Sequence, residues 1–287
     1  MPLLSVIIPS YNRLSTISVA IGSVLQQSGI DFEIVFVDDG STDGTGKFLQ
    51  DLNQPRIRYF SQARSGVSAA RNLGIRESRG EWIMFLDSDD RFLPGYFEKV
   101  SPLFGETIDI IFVGVSILSG GVYKGTIMPS RPYGKPSNDG MFLAGMFMVR
   151  KQHLLSAGCY DEFLTYSENT ELSWRLKPFL VKKFFLDVPL LEVNQSFSRP
   201  SASAGNLYLS FRRIIERHAA FMEANPPIHF LYLNNLGVAS LRLSKVGEAR
   251  IYFLRALGLR HYALTTWTRL FIAFLPPFLR DRIYPVI

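Results

Sequence analysis

Three carboxylates, Asp87, Asp89 and Asp90, follow the apolar run Trp82-Ile83-Met84-Phe85-Leu86. Five apolar residues in a row suit a buried strand and are too few for a typical helix. Carboxylates gathered at the end of a strand repel one another, and burying them is costly unless a cation compensates. Asp87 and Asp89 stand at i and i+2 with Ser88 between them, a spacing at which both can hold one divalent ion. Oxygen donors with no His or Cys beside them favour Mg²⁺ or Mn²⁺ over Zn²⁺. A lone D-x-D is ordinarily an acidic turn or a helix cap, so its surroundings must decide.

Those surroundings alternate strand and helix. Val6-Ile7-Ile8 reads as a buried strand, broken by the turn Pro9-Ser10-Tyr11-Asn12-Arg13, with Ser15 or Thr16 as cap of a helix to about Gln27. Phe32 to Val37 reads as a second strand, ending in the loop Asp38-Asp39-Gly40-Ser41-Thr42-Asp43-Gly44 before a helix from Thr45 to Leu52. Ile57 to Phe60 is a third, and Ser65 to Gly74 opens the helix that leads to the strand before Asp87. This alternation predicts a parallel sheet with helices on both faces, whose ligand crevice lies beyond the carboxyl ends of the strands. Tyr11, Asn12, Asp38, Asp39, Asp87 and Asp89 all fall in such loops. An aromatic ring, an amide and carboxylates together suit a nucleotide, with stacking on the base and a metal on the phosphates. The first loop has neither G-x-G-x-x-G nor G-x-x-x-x-G-K-[ST], which argues against dinucleotide and P-loop folds.

Of the 287 residues 47% are hydrophobic and 20% charged, enough for a packed core. The single cysteine, Cys159, excludes an internal disulfide framework and fits a reducing, cytoplasmic setting. Leu3 to Pro9 lacks the basic and long apolar regions of a signal peptide, and the run Leu270–Leu279 is too short and proline-broken to span a bilayer. The net charge of +6 is uneven: residues 1–204 carry 20 basic and 21 acidic side chains, residues 205–287 carry 11 and 4. The basic balance belongs to the tail, and no nucleic-acid partner is expected.

The series S-V-I-I-P-S-Y-N, V-D-D-G-S-T-D, S-G-V-S-A-A-R-N-L-G and F-L-D-S-D-D resembles the family 2 glycosyltransferases of bacterial polysaccharide and lipopolysaccharide type. The resemblance implies a GT-A fold, Rossmann-like with a mostly parallel sheet, over residues 1–204, followed by an α-helical region over 205–287. It implies an inverting, metal-dependent transfer of a hexosyl or N-acetylhexosaminyl group from a UDP sugar to a hydroxyl of a glycan or lipid-linked acceptor. Pro9, Tyr11, Asn12, Arg13, Asp38, Asp39, Arg71, Asp87 and Ser88 would lie on the donor side, with Asp89 and Asp87 on Mn²⁺ or Mg²⁺. Read without the family, Asp38 could equally organise its loop and Arg71 could be a surface residue of its helix.

The family also keeps an acidic pair opening an acceptor-side helix, where an aspartate takes the proton from the acceptor hydroxyl. Here Glu168, Glu171 and Arg175 match that segment, but Asn169 stands where the aspartate is expected. A neutral amide can orient a hydroxyl but cannot accept its proton. General-base catalysis contributes about 10²–10⁴-fold. Three readings follow: an inactivated variant, Glu168 or Glu171 as the base, or binding without turnover. Glu171 also reads as a first-turn carboxylate stabilised by the helix dipole.

Asp109 to Gly114 and Gly121 to Lys124 read as strands, Pro129 to Asp139 as a polar loop, and Met141 to Val149 as core or acceptor groove. Arg199 would lie in a loop near the diphosphate. Asn235-Leu236-Gly237 with Gly247, Ala249, Phe253, Ala256 and Leu257 resembles one tetratricopeptide-like helix pair. Trp267 to Tyr284 mixes aromatics with Arg269, Arg280 and Arg282, which suits a segment lying on an anionic membrane surface. That implies a peripheral protein on the inner face of the cytoplasmic membrane.

Overall fold

The computed structural model describes residues 2–105, 107–130, 142–194 and 203–283. The chain divides into two compact units, one of Met1–Glu162 with Glu168–Phe197 and one of Phe163–Ser167 with Ser198–Ile287.

The first unit runs β1 (Leu4–Ser10), α1 (Leu14–Leu25), β2 (Phe32–Asp38), α2 (Thr45–Asp51), β3 (Ile57–Ser61), α3 (Val67–Glu77) and β4 (Trp82–Phe85). It continues with β5 (Arg91–Phe92), α4 (Tyr96–Val100), β6 (Ile110–Ser119), β7 (Val122–Ile127), β8 (Phe147–Arg150), α5 (Lys151–Ser156), α6 (Glu168–Leu176) and β9 (Lys183–Asn194). The sheet order is β3-β2-β1-β4-β8-β6-β9-β5, with β7 on β6. From β3 to β4 every pairing is parallel. Beyond β4 the antiparallel β8 enters between β4 and β6, while β6 and β9 are again parallel.

Strands β1 and β2 are buried along their whole length, hence their continuous apolar runs. Their two faces feed two cores. Val6 and Ile8 meet Ile17, Ala20, Ile21 and Val24 of α1, at helical spacing. Ile7 packs with Ala70 and Ile75 of α3, Leu154 of α5, and Leu172 and Leu176 of α6. Gly74 lets α3 approach β1, because a Cβ there would lie 2.3 Å from Ile7 Cγ2. Pro9, which has no N–H to give, falls past the last β1–β4 pair, Ile7 with Phe85.

Two expectations are resolved by packing. Helix α1 begins at Leu14, ahead of Ser15 and Thr16, so neither is its cap. Its first N–H instead donates to Asp43 Oδ2 at 2.9 Å, a carboxylate 29 residues away that local sequence cannot reveal. Met146, Phe147, Met148 and Val149 are core residues of the sheet. Most of the proline-rich loop lies outside the described residues.

The second unit is helical: α7 (Ala204–Arg217), α8 (Ala219–Ala224), α9 (Pro226–Arg242), α10 (Val246–Leu259), α11 (Leu264–Ile272) and α12 (Pro277–Ile283). Helices α9 and α10 form the expected pair, closing where Gly237 faces the ring of Phe253; a Cβ on Gly237 would lie 2.5 Å from that ring. No helix among the described residues is long and apolar enough to cross a membrane.

Candidate functional site

The parallel order of β1, β2 and β4 brings their carboxyl ends to one edge, with the starts of α3 and α6 beside it. In the first loop Asn12 adopts a left-handed φ of 51°, a conformation asparagine tolerates. Its Oδ1 accepts from Thr42 N–H at 2.8 Å and its own N–H donates to Ser41 Oγ at 2.9 Å. Asn12 thereby ties the first loop to the second. The guanidinium of Arg64 lies 4.0 Å over the Tyr11 ring and donates to its hydroxyl.

Asp38 and Asp39 are both buried. Asp38 accepts from Ser41 N–H at 2.8 Å and from the Tyr59 hydroxyl at 3.0 Å, so it organises its loop. Asp39 accepts from Gln62 Nε2 and from the N–H groups of Ser65 and Gly66, each at 2.8 Å. Gly66, with φ of 95°, delivers its N–H to that carboxylate at the start of α3. Arg13 is half-buried, and Ser10 at the end of β1 is buried with its hydroxyl unpartnered.

Arg71 is the hub. Its guanidinium is only 2% exposed and pairs with Asp87 Oδ1 at 2.9 Å and Glu168 Oε1 at 3.0 Å. Burial alone would weaken its hold on its proton, but the carboxylates of Asp87 and Glu168 more than reverse this, and its pKa lies above the ordinary value. Its Nε has no partner. One cation therefore joins the D-x-D loop after β4 to the start of α6. Beside it the Tyr160 ring lies 5.3 Å from the guanidinium, and the Tyr160 hydroxyl donates to Asn169 Oδ1 at 2.9 Å. Burial pushes that hydroxyl well above the usual phenol range, with Arg71 opposing, so it stays a donor. Asn72 brackets the Tyr160 backbone, accepting its N–H at 2.8 Å and donating to its carbonyl at 3.0 Å. The Asn169 amide points back at Glu168 Oε1, 3.5 Å away. Glu168 Oε2 has no hydrogen-bond partner among the described residues.

Asp87 and Asp89 are half-buried, while Ser88 and Asp90 are buried. Asp90 N–H donates to the Asp87 carbonyl, and Asp90 Oδ1 accepts from Asn194 N–H at 3.0 Å, so this third carboxylate shapes the turn. Among the described residues no three His, Cys, Asp or Glu side chains gather into a metal cage. The donors at hand are two half-exposed carboxylates, Asp87 keeping its Oδ2 clear of Arg71. That oxygen-only pair fits Mg²⁺ or Mn²⁺, which take remaining positions from water and ligand phosphates.

Glu171 and Arg175 belong to α6 itself. Glu171 is fully buried, and Arg175 closes both its oxygens at 2.8 and 2.6 Å while reaching the Ala157 carbonyl. An acceptor cannot reach that carboxylate directly. Sequence reasoning missed Arg64, Asn72 and Tyr160; the adjacent polar pair Arg71-Asn72, directly after the small Ser68-Ala69-Ala70, was the available signal. Arg199 lies outside the described residues.

The family model for glycosyl transferase family 2 matches residues 5–161. The uncharacterized glycosyltransferase EpsJ of Bacillus subtilis is 40% identical over 102 residues, 35% of this chain and 30% of that protein. The chondroitin synthase of Escherichia coli is 42% identical over 99 residues, 34% of this chain and 14% of that protein. The chain thus spans less than half the length of either relative. Residues 1–349 of S. aureus TarS in complex with UDP-GlcNAc superpose with a TM-score of 0.67 at 18% identity, over 94% of this chain and 90% of that one. At that identity the likeness speaks for the fold.

Proposed function

The chain belongs to glycosyl transferase family 2, and from that membership we propose that it transfers a sugar from a UDP sugar to a hydroxyl of a glycan or lipid-linked acceptor. The observation that carries this reading is the Arg71 bridge, which holds a D-x-D carboxylate and an acceptor-side carboxylate on one buried guanidinium. The orphaned Ser10 Oγ and Arg71 Nε at the same edge support a ligand there. The UDP-GlcNAc complex of the fold neighbour supports the choice of nucleotide. The proposed setting is the inner face of the cytoplasmic membrane.

In this reading Tyr11, with Arg64 stacked on it, flanks the base, and the loops tied by Asp38 and Asp39 shape its pocket. The acceptor oxygen attacks the anomeric carbon, whose bond to the diphosphate oxygen breaks with its electron pair leaving on the nucleoside diphosphate. A single displacement inverts the anomeric centre. Asp87 and Asp89 would hold Mg²⁺ or Mn²⁺, which when bound offsets charge on the leaving diphosphate. The acceptor proton goes to Glu168 Oε2, since Asn169 has no basic site. Arg71 holds the other oxygen of Glu168 and so fixes the direction in which Oε2 points. The rival reading, donor binding without turnover, is favoured by the same Asn169.

A thermal-shift screen of nucleotide sugars with Mn²⁺, followed by single-turnover transfer in Glu168→Gln, tests this. Stabilisation by a UDP sugar, with transfer abolished but donor binding kept in the variant, is expected. No stabilisation by any nucleotide sugar contradicts the proposal, and binding with no transfer in the parent chain leaves the rival reading.

A further inference from the structure

Helix α11 carries apolar residues both where it is buried and where it is exposed. One side, Thr266, Leu270 and Ile272, is buried, and Leu270 packs with Phe253 and Leu257 of α10. The other carries Leu264, Trp267 and Phe271 at i, i+3 and i+7, which are 79%, 50% and 66% exposed, and Phe274 and Phe278, further along the chain, are exposed as well. A helix on the surface of a soluble domain ordinarily turns polar residues outward. Large apolar side chains left exposed together in one short stretch mark a binding surface.

Two of these rings are also held in place. Trp267 Nε1 donates to the His261 carbonyl at 2.8 Å, which fixes the indole and spends its only polar group internally. Arg250 donates through Nε and Nη2 to the Ala273 carbonyl at 3.0 and 2.9 Å, and its guanidinium lies 4.1 Å over Phe274. After Glu248 the chain carries six arginines and one acidic residue, Asp281. Of these arginines Arg260 and Arg282 are exposed and Arg269 is half-buried, its Nη1 3.4 Å from Asn234 Oδ1.

We propose that this face of the second unit is a docking surface for an anionic lipid bilayer, with the exposed rings entering the headgroup boundary and the arginines on lipid phosphates. The charge decides the occupant, because a stretch with six arginines against one acidic residue and exposed rings complements an anionic interface. The inference goes beyond the proposed transfer, and vesicle binding reads it without donor or acceptor.

The test is co-sedimentation of the full chain with phosphatidylcholine vesicles, with and without phosphatidylglycerol, at low and high salt. Binding should require phosphatidylglycerol and weaken with salt. Combining Trp267→Ser, Phe271→Ser and Phe278→Ser should lower the partition coefficient at least about tenfold, the scale of losing several buried apolar side chains. The circular dichroism spectrum and the melting temperature should stay as in the parent chain. Arg282→Glu should reduce binding to phosphatidylglycerol vesicles alone. Equal partition of parent and triple variant overturns the proposal. So does absent vesicle binding with self-association that the triple variant abolishes, which would make a second copy the occupant.

Discussion

Replacing Asn169 with aspartate tests the catalytic reading at its weakest point. The Tyr160 hydroxyl bond to Oδ1 survives Asn169→Asp, because a carboxylate accepts it as well as an amide does. The contact that changes is the amide at 3.5 Å from Glu168 Oε1, which becomes carboxylate against carboxylate. Two unit charges at that distance repel by about 5 kcal/mol at an effective dielectric of about 20. Arg71, 3.0 Å from the same Glu168 oxygen, offsets part of this. The introduced carboxylate should therefore titrate above the ordinary aspartate value of about 3.9, towards the range where a general base works best. A positioned base contributes about 10²–10⁴-fold. That corresponds to about 3–5.5 kcal/mol of barrier. Single-turnover transfer at saturating donor, followed across pH, separates this gain from affinity. Faster transfer is expected, with a rate that rises with pH above ~4 and then levels off as the carboxylate loses its proton. An unchanged rate, with Glu168→Gln also silent, would refute proton removal at the start of α6.

Two further outcomes concern the scaffold. Glu33 is buried and accepts from Ser5 at 2.7 Å and Arg58 at 3.1 Å; although burial raises its pKa, these bonds and the Arg79 N–H hold it below the ordinary 4.5. A depressed folded pKa adds stability above the unfolded value and loses it as pH falls through the folded one. Glu33→Gln should thus cost about 1–3 kcal/mol near neutrality. The cost should shrink below pH ~4, as urea melts across pH can check. Gly74→Ala puts a Cβ against Ile7 Cγ2, and that branched side chain has little room to turn. Overpacking between α3 and β1 should lower stability by about 1–3 kcal/mol in chemical denaturation.

The parallel half of the sheet was legible because strands buried on both faces must be continuous apolar runs, as Val6-Ile7-Ile8 and Trp82 to Leu86 are. The polar loops were legible because parallel strands bring every second connection to one edge. The insertion of β8 between β4 and β6 was not, since antiparallel neighbours far apart in sequence leave no periodic mark. Nor was the two-residue strand β5, which only its pairing with β9 defines. In the site, Asp87 and Glu168 could be named separately, but nothing in the sequence says that one guanidinium meets both. That depends on which face of α3 is buried, and Ser68-Ala69-Ala70-Arg71-Asn72 is buried throughout. Asp38 shows the opposite case, a motif residue whose carboxylate is taken up by its own loop.

Calorimetric titration of UDP, with and without Mn²⁺, into the parent chain and Asp89→Ala tests the central claim most directly. Asp89 is half-buried, and removing its carboxylate leaves the Arg71–Asp87 pair in place. The account predicts tight binding of UDP by the parent only with Mn²⁺, and weak, metal-independent binding by the folded variant. Equal, metal-dependent affinity in both would contradict a nucleoside diphosphate held at the D-x-D loop.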